Sequence, residues 1–354
     1  MEAYMNGYQF DALKFATEGL TAYGTTIRMN KANLPSFLFP VYQLTNEQLF
    51  TGGSNKVHSA FNVDGVLYSK FLMSRFINTI VNGYAVSWPG VDPQASINYD
   101  NAHKACNANG EGWHLASIPE RAVINHLIYK SGFVPHGNTQ YGKHHTYTYE
   151  VGEPTADEAI PDQDGKRRTT RTATGSGPST WFHNGERTGI ADWVGNVWKW
   201  FSGMRLVDGE IQIFPGNLAA NQVAAGAEST YWKAITPEGN LVAPKTAGTL
   251  KITNALTIGT DRKEAGTPSK LFKNITAEAE VNIPEILKEL GLFPVDGETK
   301  YEGNVYVNTD GERLPIGGAG FGSASHSGPS ALDLLPLRSH VGTALGFLSA
   351  LMEK

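Results

Sequence analysis

GIADWVGNVWKWFSGM, residues 189–204, holds three of the chain's seven tryptophans, Trp193, Trp198 and Trp200, beside three glycines, Gly189, Gly195 and Gly203. Glycines permit turns and close backbone approach. Large rigid indoles can cement loops that have no regular hydrogen-bond ladder. If the second half is a strand, Trp198 and Trp200 project to one face. An ordinary aromatic core is the alternative reading of the same residues.

Composition narrows the classes around this motif. The chain has 354 residues, with 29 Lys plus Arg against 34 Asp plus Glu and a formal net charge of −5. A mildly acidic protein lacks the basic surface needed to grip nucleic acid or an anionic membrane, so no nucleic-acid partner is expected. No apolar run reaches the roughly 18 residues of a membrane span, so no membrane insertion is expected. The opening MEAYMNGYQFDALKFATEGL lacks a basic segment followed by an apolar run, so the chain reads as soluble and without a cleavable secretion signal. Cys106 is the single cysteine, which excludes an intrachain disulfide.

Residues 1–51 have weak periodicity and read as an N-terminal attachment or assembly segment, in which LPSFLFPVYQL, with Pro35 and Pro40, reads as an extended connector or edge element. The main domain, residues 52–354, begins with two hairpin signals, Asp64-Gly65 and Asn82-Gly83, each between alternating residues. Two helices follow. One covers Ile97–Asn109 and runs into Gly110; the other has Ser117, Pro119 and Glu120 as a capping box and Gly132 as its terminator. From Pro135 to Thr180 the chain reads as one long loop, with PDQDGKRRTTR its most polar piece. Residues 217–280 read as an insertion with short strands of its own, and PEILKELG as a short helix opened by Pro284 and closed by Gly291.

The closing FGSASHSGPSALDLLPLRSHVGTALGF, residues 321–347, mixes small residues with scattered leucines and keeps neither a helical nor a strand period. Leu332, Leu334 and Leu337 would fit an ordinary core equally well.

Taken in order, GWHLAS (112–117) and GIADWVGNVWKW (189–200) resemble the motif pair of the formylglycine-generating-enzyme-like branch of the C-type lectin fold. RLVDGEIQI (205–213) and the closing stretch resemble the narrower family of variable proteins diversified by retroelements in phages, archaeal viruses and some cells. The resemblance spans 52–354 outside the insertion. It implies an α+β, C-type-lectin-like fold of twisted antiparallel strands, two helices and long loops. Trp113, Trp193, Gly195, Asn196, Trp198 and Trp200 would be its structural motif.

In that family the C-terminal region is recopied with errors at adenines, often in Asn codons, giving Ser, His, Asp, Leu, Pro, Gly or Ala but no stop. The resemblance therefore implies a variable region at about 319–345. Phe321, Ser323, His326, Ser330, Asp333, Leu335, Pro336, His340, Gly342 and Ala344 are its candidate ligand-binding positions, forming one solvent-facing surface. Gly322, Ala331, Leu332, Leu334, Arg338, Ser339, Gly346 and Phe347 would be the retained frame. The sequence departs from the family pattern at Leu348, where Arg is usual, and at GGAGF (317–321), which replaces Gly-Gly, a polar residue and Trp.

The resemblance implies a receptor- or ligand-binding protein, not an enzyme, serving as a viral tail protein for host attachment. Its partner would be a host-surface protein or glycan, with other tail proteins as further partners and a monomer or trimer as its assembly. It would be located in the virion tail after synthesis in the host cytoplasm. A cellular variable protein, cytoplasmic or at the cell surface, and a purely structural tail subunit are the alternatives. Enzymatic relatives oxidise thiols with copper held by two C-terminal cysteines, and this chain has none after Cys106. No cofactor is required on this reading. A structural calcium on Asp192, Asn196 and Asp208 is the one metal expectation, set against simple turn capping by the same side chains.

Overall fold

A computed structural model describes residues 7–155, 160–161, 167–168, 170–223 and 225–353. Of the polar PDQDGKRRTTR stretch, residues 162–166 and 169 lie outside the described residues. The protein mixes a few helices with curled sheets built of short strands.

Local signals form as their chemistry requires. Asp64 and Gly65 have φ of 52° and 80°, Asn82 and Gly83 have 51° and 86°, and the flanking strands 62–63/66–67 and 79–81/84–86 pair antiparallel. Two successive positive φ values give the turn whose twist matches a hairpin. The helix Ile118–Ser131 starts with a reciprocal box: Ser117 Oγ accepts the Glu120 N–H at 3.3 Å, and Glu120 Oε2 accepts the Ser117 N–H at 2.9 Å. Gly132, at φ 78°, ends it. The helix Tyr99–Ala108 is capped by Asn98, whose Oδ1 accepts the Asn101 N–H at 2.9 Å.

A five-stranded sheet runs Thr26–Met29, Pro35–Tyr42, Lys70–Ser74, Ser349–Met352, Trp113–Leu115, so the last strand of the chain lies between strands from its first third. Pro35–Tyr42 is therefore an interior strand, a correction to the expectation of a connector or edge. The prolines are tolerated because of where pairing stops: the neighbour Thr26–Met29 ends its pairing at Leu38, before Pro40, and Lys70–Ser74 ends at Leu38, after Pro35. Neither missing N–H removes a ladder bond. Residues 26–42 pair into this sheet with 70–74, and Val41, Leu49 and Phe50 belong to the main core.

A second, six-stranded sheet runs Ser269–Leu271, Asn304–Val307, Leu332–Leu334, Ile316–Gly317, Trp198–Trp200, Leu345–Phe347. The third sheet is nucleated by the hairpin Met204–Val207/Glu210–Ile213, and 233–235 and 251–252 pair directly with 210–213. The segment 217–280 does supply short strands; 233–235, 241–242, 251–252, 257–259 and 276–277 extend this sheet, while 269–271 joins the six-stranded one. The Pro284 helix covers Glu285–Glu289, with Pro284 as its cap residue. The main core joins Ile118, Val123, Ile124 and Ile128 to Trp193, Phe201 and Leu206; a second core joins the helix Tyr99–Ala108 to Trp200, Ile316 and Phe347.

Candidate functional site

The strand Trp198–Trp200 lies between Ile316–Gly317 (Trp200↔Ile316) and Leu345–Phe347 (Trp198↔Leu345). Its alternation separates two fates. Trp200 is fully buried, edge-on to Tyr99 at 5.8 Å, with its Nε1–H donated to the Ile97 carbonyl at 2.9 Å. Trp198, on the same face, is only half-buried and floors an open cavity of about 480 Å³ together with Ile316, Asp333 and Leu345; the chain from Leu335 to Ala344 forms its wall. A loop wall on a rigid sheet floor can change side chains without moving the backbone beneath.

Six of the ten candidate positions, Asp333, Leu335, Pro336, His340, Gly342 and Ala344, line this one cavity. Ser323 and His326 sit beyond it, Ser323 just before the 324–326 turn and His326 at its end. There Ser323 Oγ accepts the Gly320 N–H at 3.1 Å, and His326 Nδ1 lies 2.8 Å from the Tyr306 hydroxyl.

Two positions are corrections. Phe321 is buried against Tyr141 (5.7 Å between rings), donating its N–H to the Asn196 carbonyl and accepting that of Tyr141. Ser330 is buried with its Oγ 2.6 Å from the Tyr129 hydroxyl. Both act as frame, because each satisfies a fixed buried contact. Pro336 reaches the cavity, but it too is buried and its carbonyl accepts the Leu314 N–H at 3.0 Å.

The expected frame divides similarly. Ala331, Leu332, Leu334 and Phe347 are buried, and a Cβ on Gly346 would stand 2.6 Å from the Gln94 carbonyl oxygen. Arg338 bonds Glu312 at 3.0 and 3.3 Å and Asp100 at 3.0 Å and covers the Tyr99 ring, which pins the loop to the neighbouring helix. Gly322 and Ser339, in contrast, are exposed. Leu337 is about half exposed and lines the cavity, so it is not core. Leu348 is buried in the main core, where the arginine usual in the family would have no water. Arg121 Nη2 donates to the Pro329 and Ala331 carbonyls (2.8 and 3.0 Å) and Asn125 Nδ2 to Pro329 (2.8 Å), anchoring the entry of the loop.

Sequence reasoning missed Tyr306, Arg313 and Ile316. Tyr306 is the β-partner of Asp333 and stands edge-on to Trp198 at 6.4 Å. The alternation of NVYV, with Asn304 and Tyr306 on one face and the valines on the other, was the available signal. Arg313 is spent on main chain, Nε to the Asp310 carbonyl and Nη1 to that of Leu335. Asp333 Oδ1 accepts only the Leu335 N–H, at 2.7 Å, and burial pushes its carboxyl up to about 6.

The calcium set does not assemble. Asp208 lies in the turn of the 204–213 hairpin, more than half exposed, bonded to Arg262 and the Gly311 N–H. Asp192 and Asn196 are buried among other partners: Asp192 Oδ2 accepts the Gly175 N–H, and the Asn196 amide exchanges both bonds with the Thr172 backbone. The cation in this loop is Lys199, buried on the face opposite the tryptophans, with its Nζ donated to the Trp193 and Gly195 carbonyls at 3.2 and 2.8 Å. Burial lowers the Lys199 ammonium and raises the Asp192 carboxyl, while each opposes the other's shift through its charge. Among the described residues no group of three or more His, Cys, Asp or Glu is placed to hold a metal ion.

His183 and Asp192 form no acid–base pair. His183 Nδ1 accepts the Ile190 N–H at 2.8 Å and its ring packs edge-on to Phe39 at 4.7 Å. Burial pushes His183, and burial with nearby His58 pushes His126, down to about 3. With folded values below the unfolded 6.5, their stabilisation is complete above pH 6.5 and is lost as pH falls toward 3, on the order of 4 kcal/mol each. Imidazole NMR is expected to show both rings neutral down to pH about 4; titration of either near 6.5 would contradict this burial. Cys106 is likewise buried, and desolvation holds its thiol well above the ordinary range, unsuited to thiolate chemistry.

No protein-family model and no curated protein sequence matches the chain. Among solved structures it is similar to PvdO from Pseudomonas aeruginosa (11% identity, 93% of this chain and 98% of that chain, TM-score 0.36). It is also similar to Treponema denticola variable protein 1 (10% identity, 93% and 99%, TM-score 0.34) and to the P3c variant of the Major Tropism Determinant (10% identity, 89% and 63%, TM-score 0.31).

Proposed function

We propose that the chain is a variable ligand-binding protein with a C-type-lectin-like fold, diversified by a retroelement, whose cavity wall selects a host-surface protein or glycan and makes or breaks no bond. The observation that carries this reading is the convergence of Asp333, Leu335, Pro336, His340, Gly342 and Ala344 on one cavity over the Trp198 strand. Preformed apolar and polar groups on a fixed backbone bind with little ordering cost. Leu335 and Trp198 would supply central contact, and Asp333 and His340 polar choice.

Attachment in a virion tail, with other tail proteins as neighbours, completes the proposal. The helix Gly7–Leu20 and the turn after it expose Phe15, Leu20 and Tyr23, which fits a role for the N-terminal residues in attachment or assembly. Among the described residues no helix is long and apolar enough to cross a membrane. Sequencing the gene and its flanks in independent isolates tests the reading. A near-identical repeat, a reverse-transcriptase gene, neighbouring tail genes and adenine-templated differences confined to the cavity codons are expected. Differences spread evenly through 317–352, or no repeat at all, would overturn it.

A further inference from the structure

The cavity holds one carboxylate, Asp333, which makes no ion pair among the described residues, although the Arg313 guanidinium also lines the cavity. Asp333 projects from the middle of the six-stranded sheet, paired with Tyr306 on one side and Ile316 on the other. Its Oδ1 accepts a single backbone N–H, and among the described residues Oδ2 has no hydrogen bond and the carboxylate no ion pair. The groups that face it are accounted for from each neighbouring element. Tyr306 turns its hydroxyl to His326, Arg313 donates to two carbonyls, and His340 stands exposed on the wall. Trp198, half-buried, lines the same cavity, and its ring makes an edge contact with Tyr306 at 6.4 Å. A half-desolvated carboxylate beside an indole face is complementary to a cation: the carboxylate supplies charge and hydrogen bonds, the ring its negative face. Hydroxyls of a neutral sugar would bond Asp333 but leave its charge uncompensated.

We propose that this cavity receives a positively charged side chain of the partner, a lysine ammonium or an arginine guanidinium, between the Asp333 carboxylate and the Trp198 ring. The inference rests on the reading of the cavity as the partner-selecting site and names the chemistry it selects in this sequence. The full chain labelled with fluorotryptophan, with the Trp198 resonance assigned through W198F, is titrated with the amides of Nα-acetyl-lysine, Nα-acetyl-arginine and, as the uncharged isostere, Nα-acetyl-norleucine. At pH 7.5 the lysine or arginine amide is expected to shift the Trp198 resonance saturably at millimolar concentration, and norleucine to bind at least about tenfold more weakly. Asp333→Asn is expected to remove that preference while leaving the unliganded spectrum in place. If Asp333→Asn disturbs the fold, the wild type at pH 5 decides, because protonation of Asp333 must weaken the cation there. The two exposed histidines of this surface are controlled for by repeating the pH 5 titration in H326Q/H340Q. Equal binding of norleucine, an unchanged preference in D333N, or no saturable shift with either cation would overturn the inference. Isolates differing only at cavity codons would still uphold the partner-selecting loop, so the two failures are distinguishable.

Discussion

Lys199→Met is expected to destabilise the protein by about 3–5 kcal/mol at pH 8, the cost of leaving the buried Asp192 carboxylate and two loop carbonyls without the Lys199 donor. The Lys199 Nζ satisfies the Trp193 and Gly195 carbonyls and offsets the charge of Asp192, and all of these groups are buried. Without it, the Asp192 carboxyl in the folded protein rises further above its unfolded value of 3.8. A group raised in the folded state stabilises fully below its unfolded pKa, and that stabilisation is lost as pH rises through the folded pKa. The K199M defect should therefore shrink on going from pH 8 to pH 5, and adding Asp192→Asn should recover part of it at pH 8. Chemical denaturation across this range checks both statements. A defect under about 1 kcal/mol, or one independent of pH, would mean that Lys199 is not the cation of this loop.

Trp200→Ala is expected to cost at least about 3–5 kcal/mol, whereas Trp198→Ala, two residues away on the same face, should cost about 1 kcal/mol or less. Trp200 fills the junction between the six-stranded sheet and the helix Tyr99–Ala108 and donates to Ile97; its truncation leaves a large cavity and a bare carbonyl. Trp198 already faces an open cavity, so the loss there is one of ligand-contacting surface. Thermal unfolding of the two variants, side by side, reads this difference. Equal losses would mean that the cavity floor is part of the core.

The parts of the fold that local chemistry dictates were legible in the sequence. The Asp-Gly and Asn-Gly turns, the Ser117/Glu120 box and the Gly132 terminator each depend on a few adjacent residues, and each forms as read. Long-range pairing was not legible. Nothing in LPSFLFPVYQL says that its partners are residues 26–29 and 70–74, so its prolines suggested an edge where the register leaves them harmless. The same limit applies to 217–280, whose pairing with 210–213 is a tertiary fact.

Residue identity pointed to the candidate surface but could not separate display from frame. Phe321 and Ser330 are adenine-compatible yet held in buried contacts with Tyr141 and Tyr129, distant in the chain, Tyr129 by 201 residues. Arg313 reaches the cavity from a strand outside the variable stretch, where no local pattern marks it, and Tyr306 stands against Trp198 from another. The calcium set failed for a related reason. Asp192, Asn196 and Asp208 are close in sequence, but the buried Lys199 in the middle of the Trp198–Trp200 strand satisfies the loop carbonyls, and Asp208 sits in a separate hairpin.

The central claim is that the wall of the cavity carries partner choice while its surroundings carry the fold. A saturation scan of positions 317–347 in the full chain, read by protease resistance of each variant, tests it most directly. Leu335, Leu337, Ser339, His340, Val341 and Thr343 are exposed and are expected to accept most side chains without loss of resistance. Ala331, Leu332, Leu334, Leu345, Gly346 and Phe347 are buried and are expected to accept few. A wall as intolerant as the strands beside it would contradict the account, because side chains required for folding are not free to change with the partner.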